Sequence, residues 1–192
     1  MLAVLTVTAE YSTRTIQPTL MATPRRIQVV LGKVAVVSVL SAVTGAVAVG
    51  ASLLAGRAIL PGNGFTPANG FPPLSIADDL TRRAAVGTVL YIGLVALLGA
   101  GLGLLIRDTA GALTAALALL FASPIVAMFI SDPIWQRRIH RYSPMDAGLV
   151  IQSTRDLATE AIGPWAGLGV LAAYAGATVL LGLLVFRFRD AR

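Results

Sequence analysis

Charged residues divide this chain into apolar blocks. Between Lys33 and Arg57 lie 23 uncharged residues. Arg83 to Arg107 encloses another 23, Asp108 to Asp132 another 23, and Glu160 to Arg187 encloses 26. A helix needs roughly 20 apolar residues to cross about 30 Å of hydrocarbon, so each block is long enough to span a bilayer. A membrane β-barrel is built from segments that alternate apolar and polar. These blocks do not alternate: Val95 to Ile106 reads VALLGAGLGLLI, apolar on every side. Backbone in lipid must also satisfy its own hydrogen bonds. The pattern therefore predicts an all-α integral membrane protein, one transmembrane domain over 1–192, with four spans at about 34–56, 84–106, 109–131 and 164–186.

The connections carry their own signals. Ile59 to Ser75 is punctuated by Pro61, Gly62, Gly64, Pro67, Gly70, Pro72 and Pro73, which excludes a helix there. Asp79 or Thr81 is placed to cap the second span. Only Arg107 and Asp108 separate the second span from the third, which requires a tight helical hairpin. Pro124 lies inside the third span and is expected to kink or break it. Ser131 to Gly163 is too apolar for a plain loop: Trp135, Ile139, Tyr142, Met145, Leu149, Val150 and Ile151 suit short interfacial or re-entrant helices. Pro144 stands at the start of one such helix, MDAGLVIQSTRDLATEA. Pro164 opens the last span.

Before the first span the pattern changes. Met1 to Ala9 is apolar but only nine residues long. It has no basic flank, so it is a poor signal peptide, and it reads as the last turns of a preceding span. Glu10 to Lys33 is polar and basic. After Pro24, RRIQVVLGKV suits an amphipathic helix at the interface with Ile27, Val30 and Leu31 toward lipid. It leads directly into the first span.

Composition sharpens this picture. Hydrophobic residues make up 56% of the chain and charged residues 12%, against about 25% charged in soluble domains. The net charge of +6 places cations beside spans, where they set topology and meet headgroups, rather than in a nucleic-acid surface. The absence of cysteine excludes disulfides and thiolate metal sites, and a single histidine argues against a His-cluster metal site. With both ends in the cytoplasm, 8 cations lie inside and 7 outside. The inside ones crowd the span ends, where the positive-inside rule acts most strongly. That orientation makes 57–83 and 132–163 extracytoplasmic.

Catalytic patterns are sparse. There is no GxxxxGK[ST] phosphate loop, and Lys33 is the only lysine. No charge lies in the middle of a span, which counts against an ion-coupled carrier. Ser38, Ser41, Thr44, Thr88, Tyr91, Thr114, Tyr174 and Thr178 are the polar intramembrane positions, and each hydroxyl can bond back to its own helix. Gly99 with Gly103, and Gly163 with Gly167, have the spacing of close helix packing. His140 stands among Arg137, Arg138 and Arg141. Asp132, Asp146 and Asp156 are possible partners for it, but a solvated charged face is the simpler reading. Ser143 and Ser153 lack a nucleophile elbow. No cofactor is expected.

Ala9 to Lys33 resembles the cytoplasmic stretch between the second and third helices of ABC exporter permease subunits of the type-2 class. The matching residues are Glu10, Thr15 with Ile16, Leu20, Pro24 with Arg25 and Arg26, and Lys33; Arg14 stands where that family often has Gly. RYSPMDAGLVIQ (Arg141 to Gln152) resembles the family's Tyr-x-Pro-x-x-Ala-Gly segment before the last helix. LLVFRFRDA (Leu183 to Ala191) resembles its closing Phe-x-x-Arg-Asp. The family has six helices, so the resemblance implies that the first and most of the second are missing, through truncation or a late start codon. It implies a multi-pass permease of the plasma membrane that has no ATP site of its own. Its partners would be a separate ATP-binding subunit, a second permease copy or related chain, and membrane lipid. Glu10, Arg14, Thr15, Pro24, Arg25, Arg26 and Lys33 would form the ATPase-coupling segment, and re-entrant helices in Ser131 to Gly163 would cap the pathway outside. A membrane-embedded enzyme using Arg137 to Asp156, or an accessory membrane protein, is the alternative.

Overall fold

The computed structural model describes residues 4–5, 26–71, 75–154, 157 and 159–189, with the backbone alone for 26–30 and 186–189. Among these residues the regular structure is entirely helical: α1 (Arg26–Ile59), α2 (Asp79–Ile106), α3 (Thr109–Met128), α4 (Pro133–Tyr142), α5 (Pro144–Leu149) and α6 (Pro164–Arg189), with three short 3-10 turns. Four of these helices are long and apolar enough to cross a membrane: α1 from Leu31, α2, α3, and α6 as far as Val185. The chain is a multi-pass membrane protein. Lipid-soluble helices expose apolar side chains, and α1 does so along its length at Val36, Val39, Leu40, Val43, Val47 and Leu54.

α1 runs 34 residues without interruption, roughly 51 Å at 1.5 Å per residue. The expected interfacial helix is therefore its first turns rather than a separate element, because no proline lies between Arg26 and Ile59 to break the ladder. Of the apolar stub at the start, Val4 and Leu5 are helical and Val4 is buried.

The loop after α1 makes the same turn twice. Pro61–Asn63 and Pro67–Asn69 are 3-10 turns closed by Gly64 and Gly70, at φ 85° and 81°. Each PxNGF unit then sends its Phe N–H back five residues, Phe65 to the Leu60 carbonyl and Phe71 to the Thr66 carbonyl, both at 3.2 Å. The two rings meet edge to face with centroids 5.0 Å apart. The prolines and glycines excluded an α-helix, as the sequence indicates, but they build an ordered pair of turns. α2 is capped by Asp78 rather than by the expected Asp79 or Thr81. Its carboxylate accepts from the Thr81 N–H and hydroxyl, both at 3.0 Å.

Arg107 and Asp108 make the α2–α3 hairpin. Arg107 turns left-handed at φ 62° and donates its N–H to the Gly103 carbonyl; Asp108 caps α3 by accepting from the Gly111 N–H at 2.6 Å. α3 carries Pro124 inside one continuous helix, so the proline does not break it, and it ends at Met128, short of the expected 131.

α2 is the hub, packed against α1, α3 and α6. Val34, Ala100 and Leu104 form one apolar cluster where α1, α2 and α6 meet; Leu98, Leu102, Leu171 and Ala175 form a second between α2 and α6. Glycine lets α2 and α6 approach. A methyl group on Gly101 would stand 2.6 Å from the Thr178 hydroxyl and 2.7 Å from the Val179 nitrogen. One on Gly182 would stand 2.8 Å from the Leu104 Cβ. The expected pair Gly99 and Gly103 is buried in α2, and Gly101 and Gly182 stand at the tight crossing. The hydroxyls of Ser38, Thr44, Thr88 and Thr178 do bond to carbonyls of their own helices.

Candidate functional site

The segment between α3 and α6 folds back into the bundle. α5 begins at Pro144, as its sequence predicts, but ends at Leu149 and passes into a 3-10 turn over Val150–Gln152. The longer helix expected as far as Ala161 does not form. The reason lies in packing: Val150 and Ile151 are buried, and Ile151 fills the space that a side chain on Gly87 of α2 would take. Pro144, Ala147 and Gly148 are buried too. Gly148 faces the Tyr91 ring and Leu171, and the Ala147 carbonyl fits against Gly167 of α6. Tyr91 lies eight residues along α2 from Arg83, roughly 12 Å at helical rise, so α5 dips well below the level of the flanking charges.

Polar contacts hold this re-entrant piece. Ser143 caps α5: its Oγ accepts from the Asp146 N–H at 3.2 Å and from the Ser123 hydroxyl of α3 at 2.7 Å. It is 2% exposed, and those two bonds occupy its oxygen. Ser143 and Asp146 have the spacing of a capping box. His140 Nδ1 of α4 lies 2.9 Å from Asp146 Oδ2, which ties α4 to α5. Arg83 of α2 donates to the Ser153 carbonyl, and the Ser153 hydroxyl donates to Glu160 at 2.8 Å. Of the three carboxylates placed near His140 by sequence, Asp146 is the partner. Asp132 caps α4 by accepting from the Ile134 N–H at 2.8 Å, and Asp156 lies outside the described residues.

Under α4 and α5 an open groove of about 360 Å³ runs between α3 and α6. Leu119, Ala122, Ile139, Pro144 and Tyr174 make it apolar, and Ser123 and Ser143 supply its hydroxyls. The two hydroxyls bond to each other at 2.7 Å, so the free surface of the groove is chiefly apolar. Proton transfer is a poorer fit: Ser143 gives its oxygen to Asp146 N–H and Ser123 rather than to His140. Among the described residues no group of His, Cys, Asp and Glu is placed to hold a metal ion.

Of the expected coupling residues, Glu10, Arg14, Thr15, Pro24 and Arg25 lie outside the described residues. Arg26 is the first residue of α1, and Lys33, two turns on, is half-buried and engaged with a neighbour. Four sequential spans bring this end of α1 to the same side as the α2–α3 hairpin and the end of α6, opposite to α4 and α5. Sequence reasoning missed the PxNGF repeat, although it is visible as two five-residue copies, and the Gly101–Gly182 crossing, which no single-helix pattern reveals. Compared with protein-family models, curated proteins and solved structures, the chain matches none.

Proposed function

We propose that this chain is the membrane-spanning subunit of an ATP-driven ABC exporter, lining the substrate pathway and coupled to a separate ATP-binding subunit. The observation that carries the reading is the re-entrant α5, inserted between α2 and α6 immediately before the last span, where the resemblance to type-2 permeases asks for it. In this reading the groove beside Ser123 and Ser143 belongs to the pathway, and α4 and α5 cap it on the extracytoplasmic side. The basic segment leading into α1 docks the ATPase. Two permease chains enclose the pathway in the plasma membrane, with the starting and ending segments in the cytoplasm.

Charge reversal tests the docking surface. The Arg25→Glu, Arg26→Glu double variant is expected to lower recovery of the ATPase complex in mild detergent while the chain still inserts. Unchanged recovery would mean that these arginines serve topology alone.

The His140–Asp146 pair favours the alternative of a membrane-embedded enzyme to a limited degree, since an imidazole held by a carboxylate is a usual general-base arrangement. In the exporter reading this pair is a strut between α4 and α5, so transport survives His140→Gln. An enzyme loses its activity there.

A further inference from the structure

α4 has a cationic face that is exposed among the described residues. At 100° per residue, Arg137, Arg141 and Arg138 share one arc of about 100° with the exposed Ile134 among them, and Tyr142, which also borders the groove, and Trp135 continue it. Gln136, Ile139 and His140 occupy the other side, and these have protein partners. Gln136 donates to the Ile130 carbonyl at 2.6 Å, Ile139 lines the groove, and His140 meets Asp146. The three arginines are exposed, as are Trp135 at 55% and Tyr142 at 62%. The Arg138 guanidinium lies 5.4 Å from the Trp135 ring centre.

The position of the helix follows from its neighbours. Four residues separate it from the end of α3 at Met128, and one residue separates it from α5, which turns back into the bundle. α4 therefore lies where hydrocarbon gives way to headgroups. Among the described residues the nearby carboxylates are engaged elsewhere: Asp132 is turned to the Ile134 N–H and Asp146 to His140.

We propose that α4 is a binding surface for anionic phospholipid headgroups. Arg137, Arg138 and Arg141 take the phosphates, and Trp135 and Tyr142 seat the helix at the interface. Guanidinium groups match phosphate oxygens two at a time. Indole and phenol rings favour the headgroup level, and an arginine face beside an aromatic one is the pattern of a helix lying on a membrane. This site stands whether or not the chain proves to be an exporter subunit.

The test uses the purified full chain in detergent micelles containing equimolar phosphatidylglycerol and phosphatidylcholine, with retained lipid counted by native mass spectrometry. Phosphatidylglycerol is expected to be enriched, and the enrichment to fall as salt rises. Each cation near an anionic surface contributes roughly fivefold, so Arg137→Gln, Arg138→Gln and Arg141→Gln together should cut it about tenfold or more with helicity unchanged. The corresponding lysine variants keep the charge and should keep part of the enrichment. Three results would overturn the proposal: no enrichment in the native chain, enrichment that ignores salt, or enrichment that survives the glutamine variants. Displacement of the lipid by millimolar inorganic phosphate would instead mean a free-phosphate site and would equally overturn it.

Discussion

Gly148 of α5 rests on the Tyr91 ring of α2; a methyl group on the glycine would stand 2.9 Å from the Tyr91 Cε2. This contact lets a six-residue helix enter a bundle of spans, and it makes the re-entrant element testable one atom at a time. Gly148→Val is expected to push α5 out of its seat and lower the melting temperature in detergent. Overpacking of this kind costs about 1–3 kcal/mol. Gly163→Ala adds its methyl to open space and serves as the control. Equal melting of the two variants would remove Gly148 from the account.

The α2–α6 crossing gives a second comparison. Gly101→Leu drives a side chain into Thr178 and the Val179 backbone, where no rotamer change relieves it, so the helices must separate. Gly176→Ala lies on the same helix pair but meets nothing within 4 Å, and it should gain about 0.8–1 kcal/mol of helix propensity. Thermal melts should move in opposite directions for the two variants.

Arg107 holds a left-handed backbone with a side chain that disfavours it. Glycine adopts that conformation without penalty, so Arg107→Gly should stabilise the hairpin by about 1 kcal/mol, read as a rise in melting midpoint. A fall would show that the guanidinium contributes more than the turn costs.

Asp78 supplies a pH dependence. The Thr81 N–H, and then the Thr81 hydroxyl, hold its carboxyl below the ordinary aspartate value. A folded-state value below the unfolded one stabilises fully above the unfolded range, about 3.9, and the contribution disappears as pH falls through the lowered value. Asp78→Asn keeps an acceptor at the cap without the charge. It should therefore flatten the acid limb of melting temperature against pH while leaving the neutral end nearly unchanged. An acid limb identical to that of the native chain would assign it elsewhere.

Much of this architecture is legible in the sequence because lipid imposes it. An uninterrupted apolar run between charges is what a span must be, so the four long helices follow from where Lys33, Arg57, Arg83, Arg107, Asp108, Asp132, Glu160 and Arg187 stand. The Pro144 start of α5 is legible for the same kind of local reason, since proline suits a first helical turn. Its end is not. MDAGLVIQSTRDLATEA holds only Gly148 as a weak breaker, and the passage from helix at Leu149 to the 3-10 turn is fixed by packing, with Ile151 set against Gly87. Asp78 and Asp79 are adjacent carboxylates with equal capping chemistry, and the turn alone selects Asp78. The spacing of Gly99 and Gly103 marks a close approach, and both are buried; the contact of Gly101 with Thr178 depends on the face that α6 presents, which no single-helix pattern gives. His140 has three carboxylates within reach by chain distance; the fold chooses Asp146 by setting α4 and α5 end to end across Ser143.

The exporter reading is tested most directly by recovering the tagged chain from its native membrane in mild detergent and identifying by mass spectrometry what accompanies it. A P-loop ATPase subunit in stoichiometric amount is the predicted result. A chain that inserts, folds and is recovered without any such ATPase would contradict it.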